Sequence, residues 1–320
     1  MADDIHDQLT AYLTDAHSIE EQALAQLRSI PPLEGAERMA MAFREHLAES
    51  EGHERAVKQL LEERDAGPSW FKDAVMKLGG KGFILFARLN PDTPGKLLTH
   101  AHSYEALEEA SYSLLAIVAE QAGEKDVAAT ARRIEAEEIA MKERLAACFD
   151  EGVAASLAAL EPDDLQEQVG TYLADAHALE EQALGLLERA AGSDSGALCD
   201  AYRDHLAETR GHSEAVEARL ASLGRDRSFL KDAAMRLGAI NWATFFAAHP
   251  DTPGKLAAFT YAFEHLEMGG YEQLKRVAER AGDAATAALA EEILAEERQA
   301  AKAIKALFPE AAALALEHQA

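Results

Sequence analysis

The sequence predicts an all-α protein of two tandem four-helix bundles, each with an extra short crossover helix, and three observations carry that prediction. Alanine, leucine, glutamate and arginine dominate the 320 residues, aromatics make up 6%, and runs of β-branched residues are missing, which is a helix-forming composition. Apolar residues return every three or four positions over long stretches broken by proline or glycine, the period of one helix face. The chain also repeats itself. Tyr12-Leu13-Thr14-Asp15-Ala16-His17-Ser18-Ile19-Glu20-Glu21-Gln22 returns as Tyr172-Leu173-Ala174-Asp175-Ala176-His177-Ala178-Leu179-Glu180-Glu181-Gln182 at an offset of 160. From His46/His205 onward the offset is 159, through Pro91-Asp92-Thr93-Pro94-Gly95 against Pro250-Asp251-Thr252-Pro253-Gly254 and on to Ile134/Ile293. Repeat phase therefore sets domains at 1–155 and 160–312, leaving a tail at 313–320. The apolar stretch Ala311 to Leu316 reads as having no counterpart in the first half.

Within each half the elements follow from start and stop signals. Helix one covers roughly residues 4–29 and stops before Pro31-Pro32. Helix two covers roughly 34–63 and stops before Gly67-Pro68. A shorter stretch at 69–88, holding Trp70, Phe71, Phe83 and Phe86, reads as a crossover packed on the outside. Helix three starts where Asp92 or Thr93 offers a cap and Pro94 fills the first turn, a position with no helical N–H to lose. It ends near Gly123, and helix four runs on to about residue 149. Two helical hairpins and one long connection make a bundle with a crossover.

The formal net charge of −26 argues against nucleic acid and anionic membranes as partners and favours cations near the surface. No run reaches membrane-spanning length, and the acidic start Met1-Ala2-Asp3-Asp4 has no apolar leader core, so a cytoplasmic location is expected. Cys148 and Cys199 do not occupy matching places and show no metal spacing; they read as small buried hydrophobes.

The chemistry lies where leucines belong. The inward stripe of helix one runs Leu9, Leu13, Glu20, Leu24, Leu27; helix three runs Leu98, Glu105, Glu108, Tyr112, Leu115. On helix two, His46, Glu49 and His53 share a face with Phe43, Val57 and Leu60. The expected stripe of helix four passes Val127, Ile134, Glu137, Met141 and Leu145. The second half answers with Glu180, Glu208, His212, Glu264, Glu267 and Glu296. Five carboxylates and an imidazole inside one bundle cannot all stay ionised without counter-charge. Two metal ions about 3.5–4 Å apart, bridged by glutamates, resolve that conflict. Carboxylate-rich, histidine-poor donors favour iron or manganese over zinc or copper. By this reading Glu21, Glu51, Glu109 and Glu138 face solvent. His17 and His46, with His177 and His205, serve as hydrogen-bonding or packed imidazoles beside the ligands. Tyr12 and Tyr112, with Tyr172 and Tyr271, read either as core filling or, for Tyr112 one turn after Glu108, as a hydrogen-bond donor to a ligand.

The run Asp15-Ala-His17-Ser-Ile-Glu20-Glu-Gln22, with His46-Leu-Ala-Glu49, Glu105-x-x-Glu108 and Phe263-Glu264-His265-Leu-Glu267-x-x-x-Tyr271, resembles the YciE/YciF-type ferritin-like stress proteins. Its Glu-x-x-Glu on the third helix is similar to that of rubrerythrin. The resemblance covers most of each half and implies two fused ferritin-like domains, an intramolecular pseudo-dimer. It implies Glu20, Glu49, His53, Glu105, Glu108 and Glu137 as one dinuclear ligand set, and Glu180, Glu208, His212, Glu264, Glu267 and Glu296 as the other. Ferritin-like sites usually carry a further ligand one turn past the glutamate of helix four, where this chain has Ala140 and Met141, or Gln299 and Ala300. The function expected is redox chemistry with metal ions and small oxidants, either ferrous oxidation or peroxide removal. Two alternatives stay open: a non-catalytic, stress-protective protein whose metals hold the bundle together, and a helical module with vestigial sites.

Overall fold

The structure is a computed structural model describing residues 2–64, 66, 93–161, 164–192, 196–225 and 252–317. Every regular element among them is an α-helix: α1 (Ala2–Leu27), α2 (Glu37–Glu62), α3 (Thr93–Ala122), α4 (Lys125–Ala146), α5 (Phe149–Leu157), α6 (Leu165–Ala191), α7 (Ala197–Ser222), α8 (Thr252–Arg280), α9 (Ala284–Ala306) and α10 (Phe308–Glu317). None is long and apolar enough to cross a membrane. The crossover expected at 69–88 lies outside the described residues, as do the capping residues Asp92 and Asp251.

The chain divides into two compact units, Met1–Ser156 with Ala312–Ala320, and Leu157–Ala311. In the first, α1 packs on α2 and α3, and α4 packs on α3 and α2, closing a ring of four. Neighbours run antiparallel: His53 of α2 meets Glu138 of α4 while Glu49 meets Arg144, and Gln26 of α1 meets His100 of α3 while Glu20 meets Tyr112. Helices α2 and α3 are therefore diagonal and parallel, which is what a long connection between two hairpins requires. The second unit repeats the ring with α6, α7, α8 and α9.

Burial follows the stripes read from sequence. Leu9, Leu13, Phe43, Val57, Leu98, Leu115, Ile134 and Met141 are buried in the first bundle. Cys148 and Cys199 are buried free thiols. The α3–α4 and α8–α9 turns are closed by the same device. Gly123 (φ 76°) and Gly282 (φ 71°) take the left-handed conformation, letting Glu124 N–H reach back to Ala119 O at 2.9 Å and Asp283 N–H to Ala278 O at 2.8 Å. An added Cβ would touch nothing at either position, so the requirement is conformational, not steric.

The C-terminal stretch differs from expectation. The helix Phe308–Glu317 follows α9 as Phe149–Leu157 follows α4, so it does have a counterpart. The two helices share a task. Glu151 accepts from the N–H groups of Arg38 (3.0 Å) and Met39 (3.2 Å) at the start of α2. Glu310 accepts from Leu198 N–H (3.2 Å) at the start of α7. Neither helix start carries its own capping side chain, so the carboxylate is supplied from a distant turn to the positive end of the dipole.

Candidate metal centre

Four helices bring four carboxylates and two imidazoles to one depth of the first bundle. Glu20 comes from α1, His46 and His53 from α2, Glu105 and Glu108 from α3, and Glu138 from α4, and all are buried. Glu138 stands between the two rings: its Oε1 lies 2.8 Å from His53 Nδ1 and its Oε2 lies 3.5 Å from His46 Nε2. Glu105 Oε2 lies 3.1 Å from His46 Nε2, and Glu20 Oε1 lies 3.5 Å from His53 Nδ1. Donor atoms of Glu20, His53 and Glu138 fall within 4.8 Å of one another, and so do those of His46, Glu105, Glu108 and Glu138. The two groups share Glu138.

The second bundle builds the same object. His212 Nδ1 lies 2.9 Å from Glu297 and 3.6 Å from Glu180; His205 Nε2 lies 2.7 Å from Glu264 and 3.4 Å from Glu297. Groups Glu180–His212–Glu297 and His205–Glu264–Glu297 again share the α9 carboxylate, with Glu267 buried on α8 as Glu108 is on α3.

Two placements correct the sequence reading. On α4 the residue facing inward is Glu138 (0% exposed), not Glu137, whose side chain is 38% exposed; on α9 it is Glu297, not Glu296. The stripe Ile134–Glu138–Met141–Leu145–Cys148 steps four, three, four, three, and position 137 breaks that step; the signal was present in the spacing. On α2 the buried positions include Phe43, His46, Ser50, His53, Val57 and Leu60, another three–four alternation, and Glu49 stands one residue off it. His46 and His205 thus lie within the cluster, contrary to expectation, while Glu49 and Glu208 lie at the rim. Glu109, expected in solvent, is buried and paired with Lys142.

The displaced glutamates have a definite place. Glu137 Oε2 sits 2.6 Å from His53 Nε2, and Glu49 Oε2 sits 3.1 Å from His46 Nδ1. Glu296 and Glu208 repeat this at 2.6 Å from His212 Nε2 and 3.2 Å from His205 Nδ1. Each ring thus has its outer nitrogen engaged by a rim carboxylate and its inner nitrogen facing the buried ones. Arginines steady both of these rims in the first half: Arg133 on Glu137 at 2.9 Å, and Arg144 on Glu49 at 2.5 Å. A carboxylate behind an imidazole fixes ring orientation and tautomer, leaving the inner nitrogen as a lone-pair donor.

The inner face is short of hydrogen-bond donors. Both oxygens of Glu108 and both of Glu267 are buried with no hydrogen-bond partner, while those of Glu138 and Glu297 face the histidine rings. Glu20 fares better, with Tyr112 O–H donating to its Oε1 at 2.6 Å; Tyr271 donates to Glu180 at 2.5 Å. Burial, reinforced by the charges of Glu138, Glu20 and Glu105, pushes Glu108 well above the usual carboxylate range. Burial likewise raises Glu138 to about 7 against the His53 hydrogen bond, and Glu264 to about 8 against the charge of His205. Glu297 is drawn the other way, its burial outweighed by hydrogen bonds from His205 and His212. Burial disfavours the His53 imidazolium, but Glu138 and Glu20 beside it raise the group to about 10. Even with both rings charged, four carboxylates against two imidazoles leave negative charge that needs protons or a cation. Oxygen donors with two nitrogens, spread over two groups sharing one carboxylate, could hold a metal ion.

A separate group, His17, Glu21 and Glu54, also brings donor atoms within 4.8 Å. It belongs to the first half alone in composition, since Ser213 stands at the position of Glu54.

The family described as Domain of unknown function (DUF892) matches the chain twice, over residues 4–158 and 164–317. No solved structure matches it.

Proposed function

Since the chain belongs to the DUF892 family through two successive copies of that domain, we propose that each copy is a ferritin-like dinuclear metal centre holding iron or manganese. The chemistry proposed is ferrous oxidation or peroxide removal. The observation that carries this reading is the pair of fully buried carboxylates, Glu108 and Glu267, whose four oxygens have no hydrogen-bond partner. A group in that state costs several kcal/mol unless protonated or bound to a cation. It stands among three more carboxylates and two imidazoles in each half.

The residues divide the work. Glu20, His53 and Glu138 would hold one ion, His46, Glu105 and Glu108 the other, with Glu138 common to both; Glu180, His212, Glu297, His205, Glu264 and Glu267 correspond. Glu49, Glu137, Glu208 and Glu296 act through the imidazoles, accepting the outer N–H so that the inner nitrogen keeps its lone pair. Tyr112 and Tyr271 orient Glu20 and Glu180 by donating one hydrogen bond each, leaving the second oxygen of each carboxylate turned inward. Bound iron or manganese would supply one-electron steps toward dioxygen or peroxide.

Metal analysis tests the reading directly. After anaerobic reconstitution with ferrous or manganous ion and desalting, the chain should retain about four ions. Less than one iron plus manganese per chain would sink it. Oxidation of ferrous ion by peroxide should then exceed the rate without protein. A chelator-sensitive melting temperature combined with background oxidation would instead favour a structural, stress-protective role.

A further inference from the structure

We propose that the first half, unlike the second, admits a small neutral oxidant of hydrogen-peroxide size to Glu105 through a cavity between α1, α2 and α3. This rests on reading the first cluster as a metal centre and adds to it the route and the kind of molecule. The cavity has a volume of about 30 Å³ and is lined by Gln26, Phe43, His100, Ala101, Tyr104 and Glu105 among others. A water-sized molecule needs about 10–15 Å³ of such space, so the cavity takes roughly two or three of them. Its wall is mostly hydrocarbon with a few neutral polar ends. Gln26 Oε1 lies 3.1 Å from His100 Nε2, and burial holds the His100 imidazole down at about 4, so the ring carries no charge at neutral pH. Among the described residues Glu105 is the one carboxylate in the lining, and it is shared with the cluster through His46. An ion would lose its hydration in such a passage with nothing to replace it; a neutral molecule that makes a few hydrogen bonds would not.

The second half has exchanged these ends. Gln26, His100 and Tyr104 correspond to Leu186, Phe259 and Phe263, while Phe43 and Ala101 correspond to the larger Tyr202 and Thr260. The amide and the imidazole are replaced by hydrocarbon, the phenol moves to the helix that corresponds to α2, and the side chains at positions 43 and 101 give way to larger ones that take up space. Leu186, Phe263 and Thr260 are all buried. Glu264, the counterpart of Glu105, is kept. The carboxylates are thus common to both halves, while the Gln26–His100 pair belongs to the first alone. Two clusters of one donor set therefore differ in what reaches them.

The test uses metal-free full-length chain, so its outcome does not depend on metal binding. Ala23, which lines the cavity, and its counterpart Ala183 are equally inaccessible to bulk water, at 3% and 1%. Variants A23C and A183C are exposed to hydrogen peroxide, and the sulfenic acid is trapped and located by mass spectrometry. In that reaction the O–O bond breaks, sulfur gains the hydroxyl and water leaves. Native Cys148 and Cys199, both buried, report oxidation through general opening. The A23C thiol should react about tenfold faster than the A183C thiol, since reactivity of thiols follows their access. Adding Q26L and H100F to A23C should bring the rate down to that of A183C. Peroxymonosulfate, an anionic oxidant, should show no preference between the two. Equal rates with peroxide, or the same preference with the anion, would overturn the proposal. Should A23C fail to give a cooperative melt, L97C against L256C, at positions 4% and 1% exposed, carries the same expectation. Retention of metal is measured separately, so loss of the route and loss of the centre give different results.

Discussion

A carboxylate without a hydrogen bond is the most informative single residue in this chain. Glu108 is held well above its ordinary range by burial and by three neighbouring acids. Replacing it by glutamine removes the charge but keeps the shape. In the metal-free protein Glu108→Gln should therefore raise the melting temperature by about 2–4 °C at pH 8, near 1 kcal/mol for a bundle of this size. The same variant should bind fewer ions, which metal analysis would count. The pH dependence has a definite sign. Glu138 at about 7, Glu264 at about 8 and His53 at about 10 are all raised. Such groups hold protons in the folded chain that the unfolded chain has released, so their contribution is complete at low pH and is lost as pH climbs through those values. Glu49, pulled down to about 2 chiefly by its hydrogen bond with His46, acts oppositely and is lost only below the usual carboxylate range. Metal-free protein should thus melt highest near pH 5 and progressively lower toward pH 9, followed by circular dichroism. Sequence made these acids legible as core residues. It misplaced Glu49 and Glu137 because a long side chain one step off the seam can still curl back to its edge, and only the strict three–four alternation distinguishes them from His46 and Glu138.

At the scale of the element, helix ends are where two copies of one design have drifted. Asp283 caps α9 by accepting from Thr286 N–H (3.0 Å) and hydroxyl (2.7 Å), and Arg219 reaches it with two further contacts at 2.6 and 2.7 Å. The first half has Glu124 there, which makes no capping bond and pairs with Arg64 at 3.0 Å. Removing the cap by Asp283→Ala should cost about 1–2 kcal/mol, read as a lower urea midpoint with unchanged slope. Glu124→Ala should cost about 0–1 kcal/mol, as for a pair near the surface. Gly123→Ala should cost about 1 kcal/mol through its left-handed backbone alone. Helix spans near 4–29 and 34–63 were readable because proline and glycine mark their ends; the observed helices are Ala2–Leu27 and Glu37–Glu62. The short helices α5 and α10 were not, since nine or ten residues carry too few turns for periodicity to separate them from the preceding helix.

At the scale of the molecule, the duplication was the plainest message of the sequence, because a repeat of about 159 residues leaves little choice but two similar bundles. Binding of ions to the folded state alone should lift stability by about 2.7 kcal/mol at a hundredfold excess over the dissociation constant. A melting experiment with graded manganous ion would show that rise, and Glu108→Gln with Glu267→Gln should abolish most of it. What the repeat could not convey is that its two copies differ beside the carboxylates, where Gln26 and His100 face Leu186 and Phe259 across the alignment.

The rim carboxylates have one further consequence. Glu137 touches water on one side and the His53 ring on the other, and Glu296 does the same for His212. On the proposed reading the interior sheds protons as it takes up cations, and in each bundle this glutamate and its imidazole link the buried carboxylates to the surface. Glutamine at 137 and 296 would interrupt that path. Ion uptake should then lag behind mixing and acquire a solvent deuterium effect, while the final amount bound changes little.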